Sequence, residues 1–269
     1  MKLINLALII FLICSFSASA GVLINPKRVL LSDGERGAAL DLVNESENTI
    51  RYQIFFKQKI MDADGAIVDL VVEDPDGIYA KDMIRYSPRR VDIVGGGRQT
   101  IRIAARRPKS LPDGEYLSHL IFKEIPNKIE SKAATGDDVF SVSINPSLQI
   151  AIPIIVRKGS LSSSASLESV NLEASDKDFK NGSVTFKLRG EGDMSLYGTV
   201  EVFELVDSVV GDRVGLSRGV ALYTHLNERT VTQRLDRPLS ENASALLIRY
   251  DEDKRYGGTN FIEYTLNLK

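Results

Sequence analysis

Few residues of this chain could carry nucleophilic, acid–base or metal chemistry. The sequence contains two histidines, His119 and His225, and a single cysteine, Cys14. The histidines are far apart and show no metal-ligand spacing, and the glycines at 95–97 are not followed by the Lys-Ser pair of a phosphate-binding loop. The sequence therefore predicts no catalytic residue, no metal ligand and no cofactor. We interpret His119 as a structural histidine whose hydrogen bonds are satisfied.

The chemistry that the residues do suggest is recognition of another extended chain. From position 139 the sequence reads VFSVSINPSLQIAIPIIV, in which every even position except Pro146 is apolar and the odd positions from 141 to 149 are polar. Strict alternation predicts a strand with one buried and one solvated face, and at ~3.3 Å per residue the run could span roughly 50–60 Å. Proline favours a sheet edge, where a partner strand could add. The alternative is two ordinary core strands joined by a bend at Asn145-Pro146.

The elements that must position this strand are also predicted to be β-strands. Short apolar runs of period two recur along the chain and are separated by Gly, Pro, Asp and Asn, as at Asp64-Gly65 and Asn181-Gly182. Roughly seven such runs in each half predict an all-β chain of two Ig-like β-sandwich domains.

The first twenty residues and a serine-rich stretch near the middle of the sequence predict how the chain is divided into domains. Lys2, the apolar run Leu6–Cys14 and the small residues at 18–20 have the pattern of a cleaved signal peptide, 1–20. The serine-rich stretch Ser160–Ser166 is interpreted as a linker. We therefore predict an N-terminal domain at 21–158 and a C-terminal domain at 159–269. Loss of Cys14 with the signal would leave no disulfide.

Charge and hydropathy exclude several classes of partner. The 34 basic and 36 acidic residues give a net charge of −2, which favours neither nucleic acid nor an anionic membrane surface. No later apolar stretch is long enough to predict a membrane anchor. These features, together with the scarcity of reactive groups, disfavour an enzyme.

Several stretches resemble the periplasmic pilus-assembly chaperones, which cap fimbrial subunits during chaperone–usher secretion. The stretches that carry the resemblance are Asn25–Leu31 (NPKRVLL), Ala38–Asn44 (AALDLVN), Arg85–Val91 (RYSPRRV), Gly97–Ile103 (GRQTIRI), Leu111–Phe122 (LPDGEYLSHLIF), Ala151–Gly159 (AIPIIVRKG), Ser195–Thr199 (SLYGT) and Gly219–Tyr223 (GVALY). SPRRV and IPIIVRKG are most similar to the archaic or alternative branch of that family. The resemblance implies two Ig-like domains set at an angle, in the periplasm of a Gram-negative bacterium, with pilus subunits and an outer-membrane usher as partners.

The resemblance also implies donor-strand complementation, in which the chaperone inserts alternating apolar side chains into the groove of an incomplete subunit. The implied groove-binding residues are Phe140, Val142, Ile144 and Leu148, with Ile150 as the last candidate. The stretch Ile150–Val156 would complete the chaperone's own core, and the polar segment Asn127–Asp138 matches the loop that precedes the donor strand. Self-association of the free chaperone through this strand is left as an alternative.

The family anchors the subunit's C-terminal carboxylate between two basic residues, and Arg28 matches the first of them. Arginine suits this role because its planar guanidinium can hold a carboxylate with two hydrogen bonds. The expected second residue, a lysine, aligns with Pro153. Arg89 is the preferred substitute, and Arg90 and Arg157 are the alternatives.

The competing reading is a structural or adhesive subunit of a surface fibre. Such subunits are usually one incomplete domain with a donor segment at the N-terminus, and many carry a disulfide. Two complete domains, no cysteine after processing and a central alternating strand favour the chaperone instead.

Overall fold

The computed structural model describes residues 21–75, 77–126 and 147–268, and the predicted signal peptide at 1–20 lies outside them. The prediction of an all-β chain is confirmed as a mostly β one, since the described residues form 18 strands in several sheets. The strands of the first half are β1 (Val22–Asn25), β2 (Val29–Leu31), β3 (Gly37–Asn44), β4 (Ile50–Lys57), β5 (Lys59–Met61), β6 (Ile67–Asp69), β7 (Ile84–Ser87), β8 (Arg90–Ile93), β9 (Arg98–Ala105), β10 (Gly114–Glu124) and β11 (Gln149–Lys158). A one-turn helix, α1 (Ala80–Met83), precedes β7.

The strands of the second half are β12 (Ser163–Glu173), β13 (Ser183–Gly192), β14 (Leu196–Val206), β15 (Val209–Leu222), β16 (Glu228–Arg234), β17 (Ala245–Glu252) and β18 (Asn260–Asn267). A one-turn 3₁₀ helix, Lys254–Tyr256, connects β17 to β18. Their sheets have the orders β12-β13-β16 and β15-β14-β17-β18. Side chains from both sheets, among them Phe186, Val200 and Ile248, form one buried cluster. Burial of alternate side chains from two sheets is how a sandwich removes apolar surface from water.

The first half is built in the same way. Its sheets have the orders β1-β3-β9-β7 and β2-β11-β10-β4-β8. Leu40 and Leu42 of the first sheet share a buried cluster with Leu120, Phe122 and Ile154 of the second. The even positions of β10 and β11 therefore point into this core, and their odd positions face the other way.

The outer, odd-numbered face of this second sheet packs against the second half of the chain. Ile155 and Met61 of the first half form a smaller buried cluster with Ala221 and Tyr223 of the second. The hairpin of β5 and β6 extends the contact, since the N–H of Thr230 donates to the carbonyl of Ala63 at 2.8 Å. The two halves are therefore held together by apolar and polar contacts at the back of the β10–β11 pair.

A glycine is required in the turn of the β5–β6 hairpin. Gly65 has φ +86°, and a Cβ there would lie 2.3 Å from Cζ of Arg229 in the second half. Only glycine combines that backbone conformation with so close an approach. The sequence signal Asp64-Gly65 thus marks a turn that also contacts the other half.

Two expectations about individual elements need correction. The period-two pattern predicts one continuous run over Val22–Leu31. The structure divides this run, because the chain leaves β1 at Pro26, which has no N–H to donate, and enters the opposite sheet as β2. The predicted linker Ser160–Ser166 is also shorter than expected. β12 begins inside it at Ser163, which pairs with Gly192 of β13, because backbone pairing does not depend on the small side chains. The boundary between domains at 158/159 stays a prediction.

Candidate functional site

Arg28 lies where the chain crosses from one sheet of the first half to the other. It directly precedes β2, whose Val29 pairs with Ile154 of β11. The side chain is only 4% exposed, and its Nη2 donates a hydrogen bond of 2.8 Å to Oγ of Ser195 in the second half. The crossover therefore delivers a guanidinium into the contact between the halves.

Three tyrosines of the second half surround this guanidinium. Its Cζ lies 4.5 Å from the ring centroid of Tyr197, 5.5 Å from that of Tyr223 and 5.9 Å from that of Tyr256. Faces of aromatic rings stabilise a cation without accepting strong hydrogen bonds. Nε and Nη1 of Arg28 are buried and have no hydrogen-bond partner among the described residues. The geometry thus holds a positive charge in place and leaves part of its donor capacity unused.

A second arginine shares Ser195 with Arg28. Arg157 donates from Nε to Oε2 of Glu115 at 2.9 Å and from Nη2 to the carbonyl of Ser195 at 3.4 Å. The same Glu115 oxygen accepts the backbone N–H of Ser195 at 3.1 Å, and its side chain is 1% exposed. The carboxylate of this cluster is therefore bound by Arg157 and the backbone, while Ser195 joins both arginines.

His119 lies on the same outer face, in the pair His119–Pro153 of β10 and β11. It is 1% exposed, and neither ring nitrogen has a hydrogen-bond partner among the described residues, so the expectation of a satisfied histidine is wrong. Burial lowers its pKa to about 4, and the charges of Lys59 and Arg28 add to the effect. Burial also raises the pKa of Tyr223, whose ring packs edge-on against His119. His119 is therefore a neutral group near neutral pH.

Two of the five predicted groove-binding residues can be located. Leu148 directly precedes β11 and is 54% exposed, whereas Ile150 is partly buried against the core of the first half. Phe140, Val142 and Ile144 lie outside the described residues. The assignment of these five residues to a subunit groove stays a prediction.

Arg28 and Arg89 do not contact each other in the described part of the chain. Arg89 is exposed and lies 5.7 Å from the ring centroid of Tyr86, next to β4. Its carbonyl accepts the N–H of Ile54. The alternative considered for the second cation, Arg157, is the one that shares a contact residue with Arg28. The role of Arg89 stays a prediction.

Sequence reasoning did not assign a role to Ser195 or to the three tyrosines. Ser195 and Tyr197 belong to SLYGT, and Tyr223 ends GVALY, so two of the stretches that carry the family resemblance contain these residues. Tyr256 lies outside every such stretch. Their convergence on Arg28 depends on how the two halves pack, which no local pattern reports.

The described ranges contain no group of three or more His, Cys, Asp or Glu side chains that could hold a metal ion. They also contain no helix of the length and apolar character needed to cross a membrane.

No family model matches the sequence, and no curated protein is significantly similar to it. Among solved structures, the chain is similar over 92% of its length to the whole of the YadV chaperone, with 12% identity and a TM-score of 0.48. It is also similar over 93% of its length to 97% of the E. coli chaperone DraB, with 14% identity and a TM-score of 0.45. A third similarity covers 92% of this chain and 97% of a chain of the CsuC–CsuE chaperone–tip adhesion subunit complex from archaic chaperone–usher pili of Acinetobacter baumannii, with 15% identity and a TM-score of 0.43. At these identities and TM-scores the similarities do not assign a function to this chain.

Proposed function

We propose that this chain is a periplasmic chaperone that binds a pilus subunit by donating a strand and holding the subunit's C-terminal carboxylate, and that it then delivers the subunit to an outer-membrane usher. It would be exported by the signal peptide at 1–20 and fold as two Ig-like domains, 21–158 and 159–269, set at an angle. The observation that carries the proposal is the buried guanidinium of Arg28, whose Nε and Nη1 lack partners among the described residues.

The exposure of the even-numbered side chains along β11 supports a donor strand. Ile154 is fully buried, Ile152 is 3% exposed, Ile150 is partly buried and Leu148 is 54% exposed. The backbone of Leu148 is nevertheless held, since its carbonyl accepts the N–H of Glu124 at 2.9 Å. The apolar face of β11 and the residue before it thus passes from the chain's own core at Ile154 into solvent at Leu148.

The hydrogen-bonding edge of β11 supports the same proposal. β11 pairs with β10 along its described length, but it pairs with β2 only over Ile154–Val156. Between Gln149 and Pro153 the other edge has no strand neighbour among the described residues. An open edge beside an apolar face is the arrangement to which an extended partner adds a strand.

Burial of the predicted donors in a subunit groove would favour the complex. Phe140, Val142, Ile144 and Leu148 could each contribute roughly 1.5–3 kcal/mol when buried in a subunit groove, or roughly 6–12 kcal/mol together before ordering costs. Exposure of such an edge in the free protein favours aggregation, and a transient partner removes that hazard.

Arg28 and Arg157 are the basic residues that best fit the carboxylate anchor. A carboxylate accepts from charged donors with short, strong hydrogen bonds, and Arg28 retains two unpartnered nitrogens for that purpose. Arg157 is bound to Ser195 and Glu115 and adds a second positive charge held by the same serine. The assignment of Arg89 as the second anchor stays a prediction.

Co-expression with a pilus subunit tests this proposal. The chain should co-purify from periplasm with the subunit in a one-to-one complex, and the complex should release the subunit when it is mixed with the cognate usher. A chain that polymerises into fibres by itself would instead support the fibre-subunit alternative, and a chain that recovers no subunit would contradict the proposal.

A further inference from the structure

Tyr256 packs against two guanidinium groups. Its ring centroid is 5.9 Å from Cζ of Arg28 and 5.7 Å from Cζ of Arg255. The ring also packs edge-on against Tyr197 at 5.7 Å. Tyr256 is half-buried, and it contacts both the buried Arg28 and the exposed Arg255.

The other two tyrosines of the enclosure are held more firmly. Tyr197 is part of β14 and pairs with Ala221 of β15, so its backbone is fixed within a sheet. Tyr223 is 5% exposed and belongs to the apolar cluster between the halves. The backbone of either residue can move only if a sheet or the contact between the halves is disrupted.

Tyr256 instead lies on a single turn of 3₁₀ helix. Its N–H donates to the carbonyl of Asp253 at 2.8 Å, and the N–H of Asp253 donates to the carbonyl of Tyr197 at 3.1 Å. The carboxylate of Asp253 braces the turn by accepting from the backbone N–H, Nε and Nη2 of Arg255. Local hydrogen bonds of this kind open at much lower cost than a sheet.

Two glycines follow the turn directly. Gly257 has φ +140° and Gly258 has φ +73°, conformations that other residues rarely adopt. Consecutive glycines of this kind allow large changes of backbone direction, which is what a hinge needs. A hinge at this point would let residues 254–256 move while Asp253 stays hydrogen-bonded to Tyr197 of β14.

We propose that Tyr256 gates the Arg28 site, with residues 254–256 as the gate and Gly257-Gly258 as its hinge. This inference rests on the proposed function, since the ligand admitted would be the C-terminal carboxylate of a subunit. In the closed state the ring covers the buried guanidinium, and in the open state the carboxylate of a chain terminus accepts from Nε or Nη1 of Arg28. Asp253 holds the gate closed by bracing Arg255, so the free chaperone protects its anchor until a client arrives.

Chemical labelling of arginine tests the gate without any subunit. The full chain is treated with phenylglyoxal, and the rate of modification of each arginine is read by peptide mass spectrometry. In the wild type Arg28 should react far more slowly than Arg51, whose side chain is 50% exposed and serves as the internal standard. Tyr256→Ala should accelerate labelling of Arg28 severalfold, whereas Tyr256→Phe, which keeps the ring, should leave it slow.

Two further variants distinguish a ring that moves to admit a ligand from a ring that shields Arg28 permanently. Asp253→Ala removes the brace but keeps the ring, so it should also accelerate labelling of Arg28. Tyr79→Ala removes a tyrosine that lies over Lys81 outside the site, so it should change nothing at Arg28. Circular dichroism and thermal unfolding confirm that each variant is folded.

The labelling rates of Arg28 in Tyr256→Ala and Asp253→Ala together test the proposed gate. Acceleration in both Tyr256→Ala and Asp253→Ala supports the gate. If labelling of Arg28 is faster in Tyr256→Ala alone, the ring shields Arg28 without moving. If labelling is faster in neither variant, Tyr256 does not control access to Arg28. Both results overturn the inference. Because labelling involves no client, the gate can fail while the proposed function holds, and the reverse is also true.

Discussion

Ser195 Oγ accepts a hydrogen bond of 2.8 Å from Nη2 of Arg28, although the two residues are 167 positions apart. The backbone of the same serine donates to Glu115 and accepts from Arg157. One residue of the second half therefore orients two cationic side chains of the first. If the anchor proposal is right, carboxylate binding depends on both halves. Without Ser195, the arginine side chains would have to be ordered when the carboxylate binds, which costs free energy.

Replacing Arg28 should weaken binding of a subunit peptide with a free C-terminal carboxylate more than binding of the same peptide with an amidated C-terminus. Arg28→Met keeps much of the apolar stem but removes the charged donors, which are worth about 1.5–3 kcal/mol each when they bind an anion. We expect the affinity for a C-terminal subunit peptide, measured by calorimetry, to fall about tenfold or more. The affinity for the amidated peptide should change little.

Arg51→Met is the matched control for Arg28→Met, since Arg51 is an exposed arginine paired with Asp92. It should alter neither affinity. Equal binding of acid and amide by the wild-type chain would show that no carboxylate anchor exists.

Replacing Arg157 alone should destabilise the fold. Arg157→Met leaves the carboxylate of Glu115 buried without its cation, which typically costs about 3–5 kcal/mol. Glu115→Gln together with Arg157→Met removes the unpaired charge and should recover most of the free energy of unfolding, measured by urea titration. If Arg157 is the second anchor, the double variant should bind the C-terminal peptide acid more weakly than the wild type does, although it is stable. Wild-type affinity in the stable double variant would remove Arg157 from the site.

His119 should make stability depend on pH in a mildly acidic window. Its pKa is lowered from 6.5 to about 4 in the folded chain, so between these values the unfolded chain binds the proton more readily. The stabilisation is complete above about pH 6.5 and is lost as the pH falls towards 4, by about 3 kcal/mol in total. Urea unfolding at several pH values should show this loss.

His119→Gln should flatten the dependence on pH between 6.5 and 4. His225→Gln serves as the comparison, because His225 hydrogen-bonds to the backbone of Met61 and lies beside Tyr223 without being deeply buried. An unchanged slope in His119→Gln would mean that another group titrates in this window.

Sequence periodicity predicted most of the strands, because alternating burial leaves a local record. It did not predict the short strands β5 to β8, whose three or four residues are too few to show a period. It also missed the switch of sheets between Asn25 and Val29, although Pro26 was its visible cause.

Only part of the candidate site could be predicted from the sequence, because its other residues come together through tertiary packing. Arg28 was identified by resemblance, since its neighbours in sequence form a recognisable stretch. Its partners Ser195 and Tyr256 meet it only because the back of the β10–β11 sheet packs on the second half. Arg89, the preferred second cation, lies elsewhere on the first half, while Arg157 reaches Ser195 through the register of β11 with β10.

The central claim is that the even face of 140–148 binds a pilus subunit. Its most direct test is recovery of the subunit in complex with an Ile144→Asp, Leu148→Asp variant after co-expression. Ser141→Asp with Ser143→Asp is the matched control, since it adds the same charge on the odd face. The proposed function predicts that the even-face variant folds and recovers no subunit while the control recovers it as the wild type does. Undiminished recovery by the even-face variant would contradict it.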